Sequence, residues 1–442
     1  MKRFIPLLFC ICLLAGCSMP NFGKAATAES AAASTIPLAT PATAASQSLR
    51  VSYFTSWGSG SAAQRALFAY GAANNCEVST NLGDVSEGDL CVLPAAPAPD
   101  SGYRDLSSDP LLAAAGKRAG IESGSFTALP MGKTLYAYWA DSKVLYALLG
   151  EDCLYDLQNA TWAEWSDFAQ SLTAWIAAPA ETTVTLNGKD YALPAGKPEA
   201  AAALTGVFTA SVSDREGWAD AAYTPVLLAA GAERTADTLT GPLNALYSAF
   251  ELEEENRAPF TGDNPNSATG EAAYTLQCGE ALFYRGKMAE VSWPDEEITQ
   301  RLVPVAFKCD FTEEDITNAE YSLNGLMNYP VLANLGYLAI PDSDSEEGVK
   351  AAASAMLWLY TDGDAGTVLT DALTMITPWN TASESSALGA LQVQQVSSGI
   401  LPGADIDADT GSALQQAVYP GGTLAERKAF IQNALAAFGI AE

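Results

Sequence analysis

Histidine is absent from all 442 residues. That absence excludes Ser-His-Asp and Cys-His catalysis, histidine zinc sites and H-E-x-x-H chemistry together. Cations are scarce: 22 Lys and Arg stand against 52 Asp and Glu, a formal net charge of −30. Such a surface repels polyanions, so nucleic acid is not an expected partner. Cys-x-x-Cys does not occur, which leaves a dithiol redox centre or a cysteine metal site without support. After Leu14 no apolar run is long enough to span a bilayer. No motif nominates a pair of carboxylates for glycoside hydrolysis. No catalytic residue, metal or cofactor is therefore expected.

What is present begins at the N-terminus. Lys2 and Arg3 precede an apolar run from Phe4 to Leu14 that ends in Leu14-Ala15-Gly16-Cys17. A charged segment, a short apolar stretch and small residues before a cysteine resemble a bacterial lipobox. Residues 1–16 are then a cleaved leader and Cys17 carries the lipid, whose paired acyl chains hold a membrane firmly. The remainder of residues 17–48 is rich in Ala, Ser, Thr and Pro and has no apolar period, as expected of a flexible stalk. The folded body would work on the outer face of the cell membrane.

The stretch VSYFTSWGSGSAAQRALFAYG, Val51 to Gly71, reads as strand, glycine turn and helix. Gly58-Ser-Gly60-Ser-Ala-Ala63 matches G-x-G-x-x-A, and Glu77 follows, as in a dinucleotide fingerprint. Three observations oppose that reading. An extracellular body has no supply of nicotinamide cofactor. Thr55, Ser56 and Trp57 interrupt the apolar strand before its glycine. Glu77 opens its strand, whereas a ribose-binding acid closes one.

Of the eight cysteines, Cys76, Cys91, Cys153, Cys278 and Cys309 remain in the body. Cys76 and Cys91 fall on consecutive predicted strands and either pair or stay as thiols; the sequence leaves both open. Strands alternate with helices through the chain. Strands are expected at 49–54, 77–80, 90–93, 134–139, 281–285, 302–307 and 336–340. Helices are expected at 62–73, 161–176, 347–361, 382–397, 410–418 and 424–438. Residues 178–198 and 259–270 read as loops. Thr161-Trp-Ala-Glu164 is a capping box, and Trp162, Trp165, Phe168, Leu172 and Trp175 recur at helical spacing, a core stripe.

The order of these pieces resembles the extracellular solute-binding proteins of ABC importers, the group that includes maltodextrin-binding proteins. LPMGKTLYAYWADSKVLYALLG resembles the family's first crossing segment and TWAEWSDFAQSL the helix after it. CGEALFYRGKMAEVSW resembles the glycine-glutamate strand of the second lobe, and RLVPVAF its valine-proline strand. LGYLAIPDSDSEEGVKAAASAMLWLYTDGDAGTVL resembles the returning hinge strand and helix. LQVQQVSSGILPG and GGTLAERKAFIQNAL resemble the closing helices.

The resemblance implies an α/β, two-lobe, type II binding-protein fold whose lobes are joined by crossing segments. One lobe would comprise 49–138 and 336–379, the other 139–335 and 380–442. Crossings are expected near Tyr138–Trp139, Leu335–Gly336 and Trp379–Asn380. The implied function is capture of a small solute, a sugar or short oligosaccharide, in an inter-lobe cleft. A monomer would then deliver the solute to ABC permease subunits. The candidate ligand residues are Trp57, Gly58, Asp89, Tyr138, Trp139, Arg285, Trp293, Tyr337 and Trp379. Trp57 would stack on the apolar face of a sugar. Asp89, grouped with Asp84 and Glu87, would accept hydroxyls. Arg285 would fork onto a carboxylate or hydroxyl pair, or else form an internal salt bridge.

Departures bear on the solute. Trp139-Ala140-Asp141 stands where the family tends to have tyrosine, asparagine and lysine. Met288 lies near the place of a stacking tryptophan. An enzyme on the same scaffold and a signalling or adhesive lipoprotein remain alternatives, although the cysteine expected of a thiaminase is missing from Met131-Gly132-Lys133-Thr134. Asp405-Ile-Asp407-Ala-Asp409 opens like a calcium loop, but Thr410 and Gln416 occupy its glycine and glutamate positions.

Overall fold

The computed structural model describes residues 47–53, 57–82, 88–93, 96–97, 101–121, 124–212, 218–259, 269–288, 296–342, 345–360, 376–377, 394–395, 399–404 and 406–440. Cys17, Trp293, Trp379 and most of the predicted helix 382–397 lie outside them. The strands are β1 (Gln47–Tyr53), β2 (Cys76–Leu82), β3 (Leu90–Leu93), β4 (Ala128–Pro130), β5 (Lys133–Asp141), β6 (Thr182–Leu186) and β7 (Lys189–Leu193). After them come β8 (Gly206–Ala210), β9 (Ala281–Lys287), β10 (Leu302–Val305), β11 (Val331–Asn334), β12 (Tyr337–Ala339) and β13 (Leu401–Pro402).

Two open mixed sheets carry the body. The first runs β2-β1-β3-β12-β4 and the second β13-β11-β5-β9-β8, with β10 also paired to β5. Side-chain alternation divides each sheet between two faces. In the first, Leu49, Val51 and Tyr53 join Leu90 and Val92 against helices 57–74 and 346–359, while Cys91 and Leu93 face the other way. In the second, Tyr136, Tyr138 and Ala140 enter the larger core, and Leu135, Ala137 and Trp139 a smaller one behind it. The longest helix among the described residues, Ala236–Glu255, crosses the larger core and presents Leu239, Leu243, Leu246 and Phe250 to it.

The helix Trp162–Ala177 starts as its sequence predicts: Thr161 accepts from the Glu164 amide and Glu164 reaches back to the Thr161 amide. Trp165, Phe168, Leu172 and Trp175 are core, with Trp162 packed at the margin. One expectation needs correction, and one alternative left open is decided. Residues 178–198 are not plain loop, because β6 and β7 form a hairpin there. The turn is Asn187-Gly188, both at positive φ (52° and 72°), as a two-residue hairpin turn requires. The second concerns Cys76 and Cys91, which are free and buried. Consecutive strands β2 and β3 are not neighbours; β1 lies between them. Two strand spacings, about 9.6 Å, exceed the reach of a disulfide.

Candidate functional site

The strand directions define one edge of each sheet. β1, β2 and β3 are parallel, and β12 runs against β3 and β4. Tyr53, Leu93 and Pro130 therefore end their strands at the same edge where Tyr337 begins β12; Tyr337 is the register partner of both Leu93 and Pro130. In the second sheet β8 and β9 are parallel, β5 opposes both β9 and β11, and β13 follows β11. Ala210, Lys287, Asn334 and Pro402 thus end strands at the edge where Lys133 begins β5. The chain leaves β4 at Pro130 to enter β5 at Lys133, and leaves β11 at Asn334 to enter β12 at Tyr337. Both passages join the carboxyl-end edge of one sheet to that of the other. In open α/β sheets this is the side on which ligands bind.

The passages are laced together. The Met131 amide donates to Gly336 O (2.8 Å), the Leu335 amide to Gly132 O (3.0 Å), and Lys133 and Ile376 exchange backbone bonds of 2.7 and 2.8 Å. Gly336 has φ 122°, a left-handed conformation that a side chain disfavours. The first passage lies earlier than the sequence suggests. β5 belongs to the second sheet from Lys133 onward, so Tyr138 and Trp139 sit mid-strand inside that sheet, not at a crossing.

Side chains at this joined edge are mostly polar or aromatic. Tyr337 is half-buried and its hydroxyl accepts from Asn334 Nδ2 at 3.2 Å. Tyr53 is buried, and its hydroxyl has no hydrogen-bond partner among the described residues. Burial raises that phenol above its ordinary range. Lys287 is 3% exposed and its ammonium lies 2.9 Å from one oxygen of Asp220, an ion-pair contact, and 3.1 Å from the other, a hydrogen bond. The same ammonium donates to Asn334 O at 3.3 Å.

The candidate residues divide sharply. Tyr337 stands at the edge. Trp57 and Gly58 are the first residues of the helix that follows β1, which begins five residues earlier than the predicted start, so the glycines occupy its first turn and not a preceding loop. Four others make contacts within the sheets and their cores. Asp89 precedes β3 and so lies at the amino end of the sheet, away from the edge; its carboxylate accepts from the Arg50 amide (2.8 Å) and guanidinium. Trp139 is fully buried and its indole donates to Gly286 O at 3.0 Å. Tyr138 is buried and donates to Glu253 Oε1 at 2.8 Å. Arg285 is buried, with Nε 2.7 Å from Glu253 Oε1 and Nη1 donating to the Tyr136 hydroxyl at 2.7 Å. Its guanidinium lies 5.0 Å from the Trp218 ring and 5.2 Å from the Phe250 ring. Burial opposes its charge, but the Glu253 carboxylate overrides this and holds it firmly protonated. Arg285 is a core ion pair, one of the two uses the sequence left open.

Sequence reading missed Tyr53, Asp220 and Asn334; Lys287 stands out on a cation-poor chain but was given no role. Tyr53 shares parity with Leu49 and Val51 and is the last residue of that alternation, a signal that was present. The Lys287–Asp220 pairing had none, because 67 residues separate the two. Asp407, part of the calcium-like run, caps helix 408–418 by accepting from the Thr410 amide (2.9 Å). Among the described residues no group of three or more Cys, Asp or Glu could hold a metal ion, and no helix is long and apolar enough to cross a membrane.

No protein-family model matches the chain, and no curated protein matches it in sequence. Solved structures match its fold. The maltose-bound MalE3 of T. maritima is 13% identical, with 88% of this chain and 98% of that one covered at a TM-score of 0.56. A protein described for xylan utilization by Caldanaerobius polysaccharolyticus is 13% identical, covering 88% and 99% at 0.55. An ABC transporter solute-binding protein from Agrobacterium radiobacter, in complex with ribitol, is 10% identical, covering 88% and 97% at 0.53. The chain is thus an α/β protein with the two-lobe fold of the solute-binding proteins.

Proposed function

We propose that the protein is a solute receptor, anchored outside the cell membrane by lipid on Cys17, which captures a sugar or polyol and delivers it to an ABC permease. The observation that carries this reading is the joined edge: the carboxyl ends of both sheets meet the same pair of crossing segments. A solute held there touches groups from both sheets and so favours whichever arrangement brings them together. The fold likeness to proteins whose reported complexes contain maltose or ribitol supports a polyhydroxyl solute. Aromatic faces and hydroxyls suit such a ligand; Tyr337 is proposed to supply both at the edge and Tyr53 its hydroxyl. Trp57, Gly58, Trp293 and Trp379 are proposed to complete the first-lobe and hinge contacts. The lobes are proposed to exchange chain at Met131–Gly132 and Leu335–Gly336. In this reading the protein is a monomer, performs no chemistry and needs no cofactor.

The test is a thermal-shift screen of the protein from Cys17 onward against sugars, polyols, amino acids and vitamins. A solute at a hundred times its dissociation constant adds about 2.7 kcal/mol. Small-angle scattering with the same solute should give a smaller radius of gyration than without it. A tight solute that leaves the size unchanged would move the reading toward a rigid enzyme or adhesive protein. A mutant Cys17→Ser that still takes up labelled palmitate would remove the anchor from the proposal.

A further inference from the structure

We infer that Lys287 is a positioning residue for the hinge: its ammonium pins the second crossing segment to the second sheet and thereby sets how freely the two sheets move relative to each other. The importance of such motion rests on the receptor reading above; the contact itself does not.

Three observations converge on this side chain. Lys287 is the last residue of β9 and almost wholly buried, so its ammonium needs compensation where it stands. Asp220, from the short helix 219–222, supplies the charge through both carboxylate oxygens. Asn334 O accepts a further bond. Asn334 is the last residue of β11 and the first step of the crossing. Its own side chain reaches over the crossing to the Tyr337 hydroxyl in the first sheet. One residue is therefore held at its carbonyl by the second sheet and at its amide by the first.

The turning point lies two residues further on, at Gly336, where φ is 122°. A bend there that rotates the peptide between Asn334 and Leu335 swings the Asn334 carbonyl. That rotation must break or stretch its bond to Lys287. The same peptide carries the Leu335 amide, which donates to Gly132 in the other crossing segment. Lys287 therefore restrains both crossing segments through one carbonyl. Arg285, two residues earlier on the same face, does not act this way: its partners Glu253 and Tyr136 both lie on the larger-core side of the second sheet. A lysine suits the task, because its compact three-donor ammonium serves a carboxylate and a carbonyl in different directions, where a guanidinium donates in one plane.

Amide hydrogen exchange on the full, ligand-free chain tests the proposal. Lys287→Met combined with Asp220→Asn removes the cation without stranding the carboxylate. Exchange of the Leu335 and Met131 amides should rise about ten-fold or more, the size of one lost charge-assisted hydrogen bond. Amides inside β8 and β9 should keep wild-type rates. Spin labels at Ser108 and Ala192, both exposed and one on each side of the crossings, should give a broader distance distribution in the variant. Asp220→Asn alone keeps the ammonium on Asn334 and should raise exchange less. Equal rises in the two variants, or unchanged Leu335 and Met131 rates in the double variant, would overturn the proposal. No solute is used, so an empty ligand screen would count against the receptor reading alone.

Discussion

An arginine–carboxylate pair at the first sheet and another in the second behave differently. In the first sheet Arg50 meets Asp89 with its side chain 50% exposed. In the second Arg285 meets Glu253 with both side chains 1% exposed. The partners are similar in chemistry, but the surroundings are not. Water shares the field of Arg50, so the pair can separate at little cost. Arg285 is enclosed by the Trp218, Phe250 and Phe307 rings, and water has no access to either charge. A pair closed to water is costly to make and far more costly to break from one side. The second sheet's pair therefore ties β5, β9 and helix 236–255 together through Tyr136, Tyr138 and Glu253, whereas the first sheet's pair closes the start of a ladder.

The sharpest way to break the comparison is Glu253→Gln. It leaves the Arg285 charge buried and uncompensated, and should cost about 3–5 kcal/mol. Urea unfolding with tryptophan fluorescence measures it. A loss below about 1 kcal/mol would mean that Arg285 is compensated elsewhere and that the two pairs are alike.

Trp165→Ala is next. Trp165 is fully buried against Tyr138, Phe168, Phe208 and Phe283, with ring centroids 5.2–6.1 Å away. Removal of that ring should cost about 3–5 kcal/mol. Trp162→Ala, three residues earlier and only partly buried, should cost about 1 kcal/mol or less. Equal losses would show that the aromatic stripe does not divide into core and margin.

These residues also mark how far the sequence could be read. The stripe from Trp162 to Trp175 was legible because helical period and capping box are local, and both lie within one segment. The hairpin at Thr182–Leu193 was legible in principle: alternation flanks Asn187-Gly188, but the prolines on either side disguise it as loop. The two-lobe fold came from the order of many weak pieces. The site was least legible, because strand order is not chain order. Asp89 looked like a free acid until its strand placed it at the amino end of the sheet beside Arg50. Arg285 looked like a ligand group because cations are scarce in the chain, and Tyr138 because it lay near a presumed crossing. The crossing lies at Met131–Gly132, and a fixed parity of two turns both side chains into the core.

Lys308 extends the comparison to a buried cation with no carboxylate beside it. Its ammonium donates to the carbonyls of Gln158 (2.9 Å) and Ala160 (3.2 Å) at the end of helix 153–159, and to Asn328 Oδ1 (3.0 Å). Dipoles compensate it less than an anion would, and burial lowers its pKa from 10.5 to about 7, with Glu164 opposing. Between those values the unfolded chain holds a proton that the folded chain has released. Stability from this group therefore rises with pH from about 7 to 10.5 and is flat below 7. Relative to Lys308→Met, the wild type should gain about 1 kcal/mol per pH unit across that window. A difference that stays constant would mean the three acceptors keep the lysine charged in the fold, as Glu253 keeps Arg285 charged.

The smallest effect tests the exposed member of the comparison. Asp89→Asn keeps an acceptor for the Arg50 amide, which the carboxylate now serves at 2.8 Å, and removes only the charge opposite the guanidinium. Arg50 is half in water, so its charge is recovered by solvent and the loss should be about 1 kcal/mol or less. Salt discriminates the two sheets here. Raising ionic strength from about 0.1 M to 1 M shortens the screening length from about 10 Å to 3 Å. The cost of Asp89→Asn should shrink accordingly, while that of Glu253→Gln stays nearly fixed. If a solute from the thermal-shift screen binds the Asp89→Asn protein as tightly as wild type, the acid is a ladder residue, as its amino-end position requires. Weakened binding with unchanged stability would return Asp89 to the solute contacts.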